Sequence, residues 1–153
     1  MGYTFWKKKP MLPAEVQEAI VSAIRQAEVR TSGEIRIFVE QRCAFIDAID
    51  RAVELFTSLG MEQTEERNAV LVYVALKDHQ FAIYGDEEIY QKAGGPHFWE
   101  ESAAHLQAGL RRGDLIGGLV TCIGEIGEAL AIHFPYRGDV DKNELPDEIV
   151  FGK

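Results

Sequence analysis

Residues 69–76 form a nearly unbroken apolar run rich in valine, and this run constrains the fold more than any other part of the chain. A strand with one face in water alternates apolar and polar residues, whereas a strand buried on both faces is apolar throughout. The run therefore predicts a central strand that other elements cover on both sides. A chain of 153 residues suits one domain with a single hydrophobic core.

The segments around this run predict helices and two more strands. Residues 34–40 alternate polar and apolar, which is typical of a half-buried strand, and the turn at 77–79 leads into a third strand at 80–84. Apolar residues recur at helical spacing in five segments, which cover residues 13–27, 46–59, 86–93, 98–110 and 115–133. This order predicts an α/β domain with a helix-rich C-terminal half, in which no strand follows residue 84.

The chain divides into three predicted parts, which are an N-terminal tail at residues 1–12, the α/β domain at 13–134 and an acidic C-terminal tail at 135–153. The C-terminal tail is expected to be a loop that packs on the domain through the apolar residues 149–151. No repeat and no change of composition marks a second domain.

The chain carries a formal net charge of -9, which excludes some partners and favours others. Such a surface repels nucleic-acid phosphates, so nucleic-acid binding is not expected. The basic run at residues 7–9 lies near the N-terminus and is typical of a solvated tail. An acidic surface suits cations, and a basic protein is the kind of partner that it would attract.

No segment predicts export or membrane insertion. Residues 7–10 interrupt the apolar stretch that a signal peptide would need. The apolar segment 115–132 contains Glu125 and Glu128, which oppose a transmembrane role, and four glycines, which predict close backbone packing in a globular domain. Since Cys43 and Cys122 lie far apart in sequence, we expect reduced thiols and a cytoplasmic location.

Chain direction brings three segment ends to one edge of the predicted sheet. A helix joins the first two strands, which predicts a parallel pair, and a tight turn joins the second and third, which predicts an antiparallel pair. The starts of strands one and two and the end of strand three therefore share one edge, called the rim below. The residues expected at the rim are Thr31, Ser32, Glu34, Arg67, Asn68, Tyr84, Gly85 and Asp86.

Asp86 is the first candidate metal ligand at the rim. It follows Gly85 at a helix N-terminus, where an aspartate commonly caps the helix by accepting a hydrogen bond from a backbone N–H. Alternatively, Asp86 together with Glu87 or Glu88 supplies the oxygen ligands that Ca²⁺ and Mg²⁺ prefer. Sequence spacing alone does not choose between these roles.

Arg67, Asn68, Glu34 and Asp114 are further candidates. Arg67 and Asn68 precede the central strand, where they either bind a phosphate or carboxylate, orient the acidic residues, or form an ordinary turn beside an ion pair. Glu34 begins the first strand and is expected to support the same site. Asp114 stands at the head of the last helix, either as an N-cap or as a metal ligand.

The C-terminal tail contains a second set of acidic residues. Asp139 and Asp141 begin like a calcium-binding loop, with oxygen side chains at alternate positions. The segment then departs from the EF-hand pattern, since Glu144 stands where that motif requires glycine. Asp139 and Asp141 are candidate ligands of a looser cation site that Asp147 and Glu148 would complete, and a solvated acidic tail is the alternative.

Several short segments resemble the TPM domain family. They are TSGEIRI at 31–37, RNAVL at 67–71, YGDEEI at 84–89, GDL at 113–115 and NELPDE at 143–148, the last being similar to the tail of small stand-alone bacterial members. The resemblance spans roughly residues 15–130. It implies an α/β/α sandwich around a short mixed β-sheet, and binding of divalent cations, calcium included, by acidic residues near these blocks.

The resemblance also bears on activity, because some plant thylakoid members are described as acid phosphatases linked to photosystem II repair. Here Ala69 replaces the glycine before Val-Leu, and Asp86 and Glu88 replace an aromatic residue and a glycine of the later block. We therefore favour a divalent-cation-binding interaction module, with a metal-assisted acid phosphatase as the alternative. In that alternative the ion polarises a phosphoryl oxygen and Arg67 steadies its charge, and no catalytic residue is assigned.

Overall fold

The computed structural model of the protein describes residues 10–45, 47–93, 95, 99–138 and 144–152. Its helices are α1 (Ala14–Glu28), α2 (Ala48–Ser58), α3 (Glu87–Lys92), α4 (Glu100–Arg112) and α5 (Leu115–His133), with a 3-10 turn at Met61–Gln63. Its strands are β1 (Glu34–Glu40), β2 (Ala69–Ala75), β3 (Gln80–Gly85) and β4 (Val150–Phe151). These bounds agree with the predicted elements to within a few residues, except for β4.

The strands form one mixed sheet in the order β3-β2-β1-β4. β1 runs parallel to β2, with Glu34 opposite Ala69, and β2 runs antiparallel to β3, with Val70 opposite Gly85. These directions agree with the predicted crossover and hairpin, and they bring the starts of β1 and β2 and the end of β3 to the same rim. β2 is buried along its whole length, as its apolar run predicts.

β4 corrects the expectation that the sheet ends at its third strand and that the C-terminal tail is only a loop. Val150 and Phe151 pair in parallel with Phe38 and Val39 of β1, and the N–H of Gly152 donates to the Val39 carbonyl at 2.8 Å. Two residues are too few to show the alternation by which a strand is recognised in sequence. Residues 144–152 run along the edge of β1, from Glu34 to Val39, and are called the strap below.

Helices cover both faces of the sheet. Ile35 and Ile37 point from β1 into a core shared with α1 and α5, while Phe38 points to the opposite face, where α2 packs. Successive residues of a strand point to opposite faces, so β1 contributes to both layers. The predicted α/β fold is confirmed.

α5 packs on α1 and α4 at two points of close approach. A Cβ at Gly109 of α4 would lie 2.7 Å from the Cα of Gly118, and one at Gly127 would lie 2.6 Å from the Cβ of Ala27. Gly124 faces open space, so the predicted close packing holds for only some of the glycines. Within the described residues, α5 is also the one helix that could cross a membrane by length and composition, a weak criterion that core helices often meet.

Candidate metal centre at the rim of the sheet

The side of the rim next to β3 holds a matched ion pair. Asp86, which is only 3% exposed, accepts hydrogen bonds from Nε of Arg67 at 2.7 Å and from Nη2 at 2.8 Å. It also caps α3 by accepting a hydrogen bond from the N–H of Glu87 at 2.7 Å. The Glu87 carboxylate lies 3.4 Å from the same guanidinium. Three donors thus share the two oxygens of Asp86, and we call this group the Arg67 corner.

Asn68 and Gly85 support the middle of the rim. Asn68 is fully buried, and its Nδ2 donates to Oγ of Ser32 at 3.3 Å. A Cβ on Gly85 would lie 3.1 Å from Cγ2 of Ile89 and 3.4 Å from Nε1 of Trp99. Asn68 therefore ties β2 to the entry of β1, and Gly85 allows α3 to pack closely on the end of β3.

The side of the rim next to the strap gathers three carboxylates from distant parts of the chain. Glu28 ends α1, Glu34 begins β1, and Asp147 belongs to the strap. One oxygen of each lies within 4.8 Å of the others. These three residues are called the acidic cluster below.

The acidic cluster has few hydrogen-bond donors. Oε2 of Glu28 accepts from the N–H of Ile35 at 2.9 Å, and Oε1 of Glu34 accepts from the N–H of Glu144 at 2.5 Å. Glu34 is only 2% exposed, and no amide, hydroxyl or cationic group of the described residues donates to its Oε2. A buried carboxylate oxygen in this state is an acceptor that a bound cation would satisfy.

Burial changes the titration of the acidic cluster. Burial, together with a hydrogen bond to Asp147, raises the pKa of Glu28 to about 10. Burial raises the pKa of Glu34 to about 7, against the opposing effect of the hydrogen bond from Glu144. Arg25 lies 3.6 Å from Asp147, but its side chain is 68% exposed, so solvent screens the contact. In the absence of a cation, protons therefore neutralise much of the charge of the cluster.

The donor set determines which ions fit the acidic cluster. Its three side chains offer carboxylate oxygens, which suit the hard cations Ca²⁺ and Mg²⁺ better than zinc or copper. Ca²⁺ takes about six to eight oxygen ligands at about 2.3–2.6 Å in flexible geometry, and water or backbone carbonyls commonly complete its shell. The arrangement can therefore hold a hard divalent ion between α1, β1 and the strap.

Of the remaining predicted ligands, the structure describes Asp114, which is not brought to this cluster. Asp114 caps α5 by accepting a hydrogen bond from a backbone N–H of its first turn at 2.9 Å. The other end of α5 adjoins the rim, because Phe134 accepts a hydrogen bond from the N–H of Ser32 at 3.0 Å. A helix of 19 residues is about 28 Å long, so Asp114 stands at the opposite end of α5 from the rim. Asp139 and Asp141 lie outside the described residues.

Glu28 is the residue of the acidic cluster that sequence analysis missed. It carries a usable signal, because an acidic residue in the last turn of a helix opposes the helix dipole. Asp147 was considered only as part of a calcium-like loop in the tail, since the sequence does not reveal that the strap returns to β1. Of the residues that the sequence predicts at the rim, Glu34 alone belongs to the cluster.

A second group of possible ligands lies between α4 and α5. It consists of Glu101, His105 and Glu125, all at least partly exposed. Nδ1 of His105 lies 2.9 Å from Oε1 of Glu125, and this hydrogen bond raises the pKa of His105. A solvated ion pair accounts for the geometry of this group.

Comparison with known families identifies the domain that carries this rim. The family model of the TPM domain matches residues 7–129. The chain belongs to the TPM domain family. The match includes Glu28, Glu34 and the Arg67 corner, and it ends before the strap.

Solved structures agree with the TPM fold. The NMR structure of the BA42 protein from the psychrophilic bacterium Bizionia argentinensis is similar, with a TM-score of 0.85 and 42% identity over 95% of this chain and 99% of that chain. The N-terminal domain of the cg2496 protein from Corynebacterium glutamicum has a TM-score of 0.62 and 12% identity, over 82% of this chain and 86% of that chain. At that identity it shares the fold alone. A comparison with curated protein sequences finds no match.

Proposed function

We propose that this TPM domain binds a divalent cation at the acidic cluster and acts as a cation-dependent interaction module. The observation that carries the proposal is Glu34, which shares its site with two other carboxylates while its buried Oε2 lacks a donor among the described residues. The N–H of Glu144 satisfies Oε1 of Glu34, but a buried carboxylate without a counter-charge is costly to ionise. A bound cation removes this cost, because it supplies the missing positive charge.

Calcium is the ion that the proposal favours over magnesium. The three carboxylates come from a helix end, a strand start and the strap, so their positions are set by three separate elements. Mg²⁺ requires near-ideal octahedral geometry and keeps several waters, whereas Ca²⁺ accepts irregular sets of oxygen ligands. The net charge of -9 supports the further expectation of a basic protein partner. That partner and a cytoplasmic location remain predictions from sequence.

The alternative function, a metal-assisted acid phosphatase, depends on Arg67. The guanidinium already binds Asp86 at two nitrogens and lies 3.4 Å from Glu87, so a phosphate would compete with two carboxylates. We therefore rank this function second. Metal-dependent release of phosphate from p-nitrophenyl phosphate that is lost in Arg67→Ala would support it, and equal release by both proteins would remove Arg67 from the proposal.

Isothermal titration calorimetry with Ca²⁺ and then Mg²⁺ tests the main proposal. We expect Glu34→Gln and Asp147→Asn to weaken Ca²⁺ binding on the order of 100-fold, because each removes a charged ligand. Glu18→Gln is the matched control, since it removes one acidic charge from an exposed position of α1. Titration in buffers of different ionisation enthalpy should also reveal proton release, because the cation displaces the protons held by the cluster.

Asp86→Asn distinguishes the two sides of the rim. We expect this variant to keep Ca²⁺ binding, because Asp86 is committed to Arg67 and to the start of α3. Binding that survives in Glu34→Gln and Asp147→Asn but is lost in Asp86→Asn would move the metal site to the Arg67 corner. No binding in the wild type would end the proposal.

A further inference from the structure

The β4 end of the strap is held to the domain by a short pairing. Its β4 pairing covers two residues, and the N–H of Gly152 adds one hydrogen bond to Val39 at 2.8 Å. Leu145, Ile149 and Val150 pack against the core but are only partly buried. A short edge strand with partly buried anchors opens more readily than the centre of a sheet. The strap is therefore expected to be among the less stable parts of the fold.

Carboxyl groups face each other across the contact between the strap and the domain. Asp147 of the strap lies beside Glu28 and Glu34 of the domain, within the 4.8 Å spacing of the acidic cluster. Glu144 of the strap presents its backbone N–H to Glu34 at 2.5 Å, and its carboxylate accepts from the N–H of Glu65 at 3.1 Å. Glu28 and Asp147 share a hydrogen bond only while one of them holds a proton, and the three carboxylates repel one another when all are ionised.

Two arginines lie close to the strap. Arg25 of α1 is 3.6 Å from Asp147, with a side chain that is 68% exposed. Arg36 of β1 interacts electrostatically with Glu148 of the strap. Neither arginine contacts Glu34, whose buried Oε2 therefore remains available to a bound cation.

We propose that a divalent cation in the acidic cluster clamps the strap onto β1, so that cation binding controls whether the edge of β1 is covered. This inference rests on the proposed function, because it assumes that the cluster binds the ion. Its specific content is that the site is divided between the domain, which supplies Glu28 and Glu34, and the strap, which supplies Asp147. When the strap leaves, the site loses one of its three carboxylates and the cation loses affinity.

Undocking of the strap would uncover backbone groups of β1. Phe38 and Val39 pair with β4 on this edge, and their exposed N–H and C=O groups would form an open edge strand. Such an edge accepts an extended peptide by β-strand addition. Loss of the cation would thus make a peptide-binding edge accessible, and its return would close that edge.

Amide hydrogen exchange measured by NMR, with Ca²⁺ or with EDTA, tests the clamp. The reporter is the N–H of Gly152, which donates to Val39, and the reference is the N–H of Asp86, which donates to Ala69 at 2.9 Å. At about 100 times the dissociation constant, a ligand that binds only the docked form suppresses opening about a hundredfold. We expect exchange at Gly152 to slow by up to this factor, and exchange at Asp86 to slow much less.

Asp147→Asn and Glu148→Gln form a matched pair of strap variants. Each removes one acidic charge from the strap, but only Asp147 belongs to the acidic cluster. We expect Asp147→Asn to lose the effect of Ca²⁺ on Gly152 and Glu148→Gln to keep it. The outcome is read from exchange within each folded protein.

Four outcomes would overturn the clamp. Ca²⁺ that gives a calorimetric signal but leaves exchange at Gly152 unchanged would end this inference while leaving the proposed function intact. Equal slowing at Gly152 and Asp86, or an undiminished effect in Asp147→Asn, would show that the strap is not the element linked to the ion. The absence of any Ca²⁺ binding would end both proposals.

Discussion

The two ends of β1 carry the same side chain in opposite electrostatic settings. Glu34 begins the strand and Glu40 ends it, and both are buried, at 2% and 5% exposure. Glu40 accepts hydrogen bonds from Arg51 at 2.9 and 3.0 Å and one from the Tyr73 hydroxyl. Burial alone would raise the pKa of Glu40, but these donors hold it below its ordinary value. At Glu34, burial raises the pKa to about 7.

The difference lies in where the counter-charge comes from. α2 delivers Arg51 to the end of β1, so the fold itself neutralises Glu40. At the start of the strand, the neighbours of Glu34 are two more acids, and the nearby Arg25 is largely exposed. A buried carboxylate is stable only when it is paired or protonated. The start of β1 therefore depends on protons or on an external cation, whereas the end does not.

The largest expected effect on stability comes from removing the charge of Glu40, which pairs with Arg51 at the end of β1. Glu40→Gln should lower the free energy of unfolding by about 3 kcal/mol, because it replaces charge-assisted hydrogen bonds in a buried site. Urea denaturation at neutral pH measures this loss. Glu54→Gln is the control, since Glu54 contacts the same arginine from a half-exposed position. Equal losses in the two variants would mean that burial of Glu40 is not the cause.

The next largest expected effect is stabilisation of the fold by Ca²⁺ bound at the start of β1, beside Glu34. Ca²⁺ at about 100 times its dissociation constant should raise the free energy of unfolding of the wild type by about 2.7 kcal/mol. Thermal or urea unfolding with and without EDTA measures this gain. Glu40→Gln should keep the gain and Glu34→Gln should lose it. If Glu34→Gln gained as much as the wild type, the two ends of β1 would not differ in the way that we infer.

Without the ion, Glu34→Gln should raise the free energy of unfolding, whereas Glu40→Gln should lower it. The pKa of Glu34 is raised from 4.5 to about 7, so the folded state holds its proton longer than the unfolded state. The contribution of Glu34 to the free energy of unfolding is fully present below about pH 4.5 and is lost as the pH rises through about 7. In EDTA at about pH 8, Glu34→Gln should therefore be more stable than the wild type by about 2 kcal/mol.

A pH series separates this effect from a general change in packing. The advantage of Glu34→Gln over the wild type should shrink as the pH falls from about 7 and should be lost below about 4.5, where Glu34 is protonated in both states. Glu28→Gln should show the same kind of pH dependence, since burial also raises the pKa of Glu28. A stability difference that stays constant across this range would contradict the assigned titration.

The smallest effect concerns the exposed group between α4 and α5. The hydrogen bond with Glu125 raises the pKa of His105, so Glu125→Gln should move the NMR titration midpoint of His105 down toward about 6.5. Ca²⁺ affinity should not change, because we treat this group as a surface ion pair. A loss of Ca²⁺ affinity in Glu125→Gln would instead make the group a cation site.

Sequence patterns predicted most of the fold because the patterns are local. The apolar run of β2, the alternation in β1 and the helical periodicity of α1 and α5 each arise within one element. The rim could also be inferred, since chain direction follows from the type of connection between strands. β4 escaped prediction because its two residues pair with a strand more than 100 positions away.

The candidate site was only partly predictable for the same reason. The sequence placed Asp86 beside Arg67 and Asn68, but it did not reveal that the Asp86 carboxylate is shared among three donors. Glu34 was recognised as part of the rim, while the roles of Glu28 and Asp147 depended on where α1 ends and where the strap returns.

The sequence by itself determined the α/β class, the order and direction of the first three strands, and the acidic character of the rim, because periodicity and connection length are properties of neighbouring residues. Tertiary structure alone decided which acids are neutralised. That outcome depends on which element carries an arginine to each end of β1, and such long-range pairing leaves no local pattern in the chain.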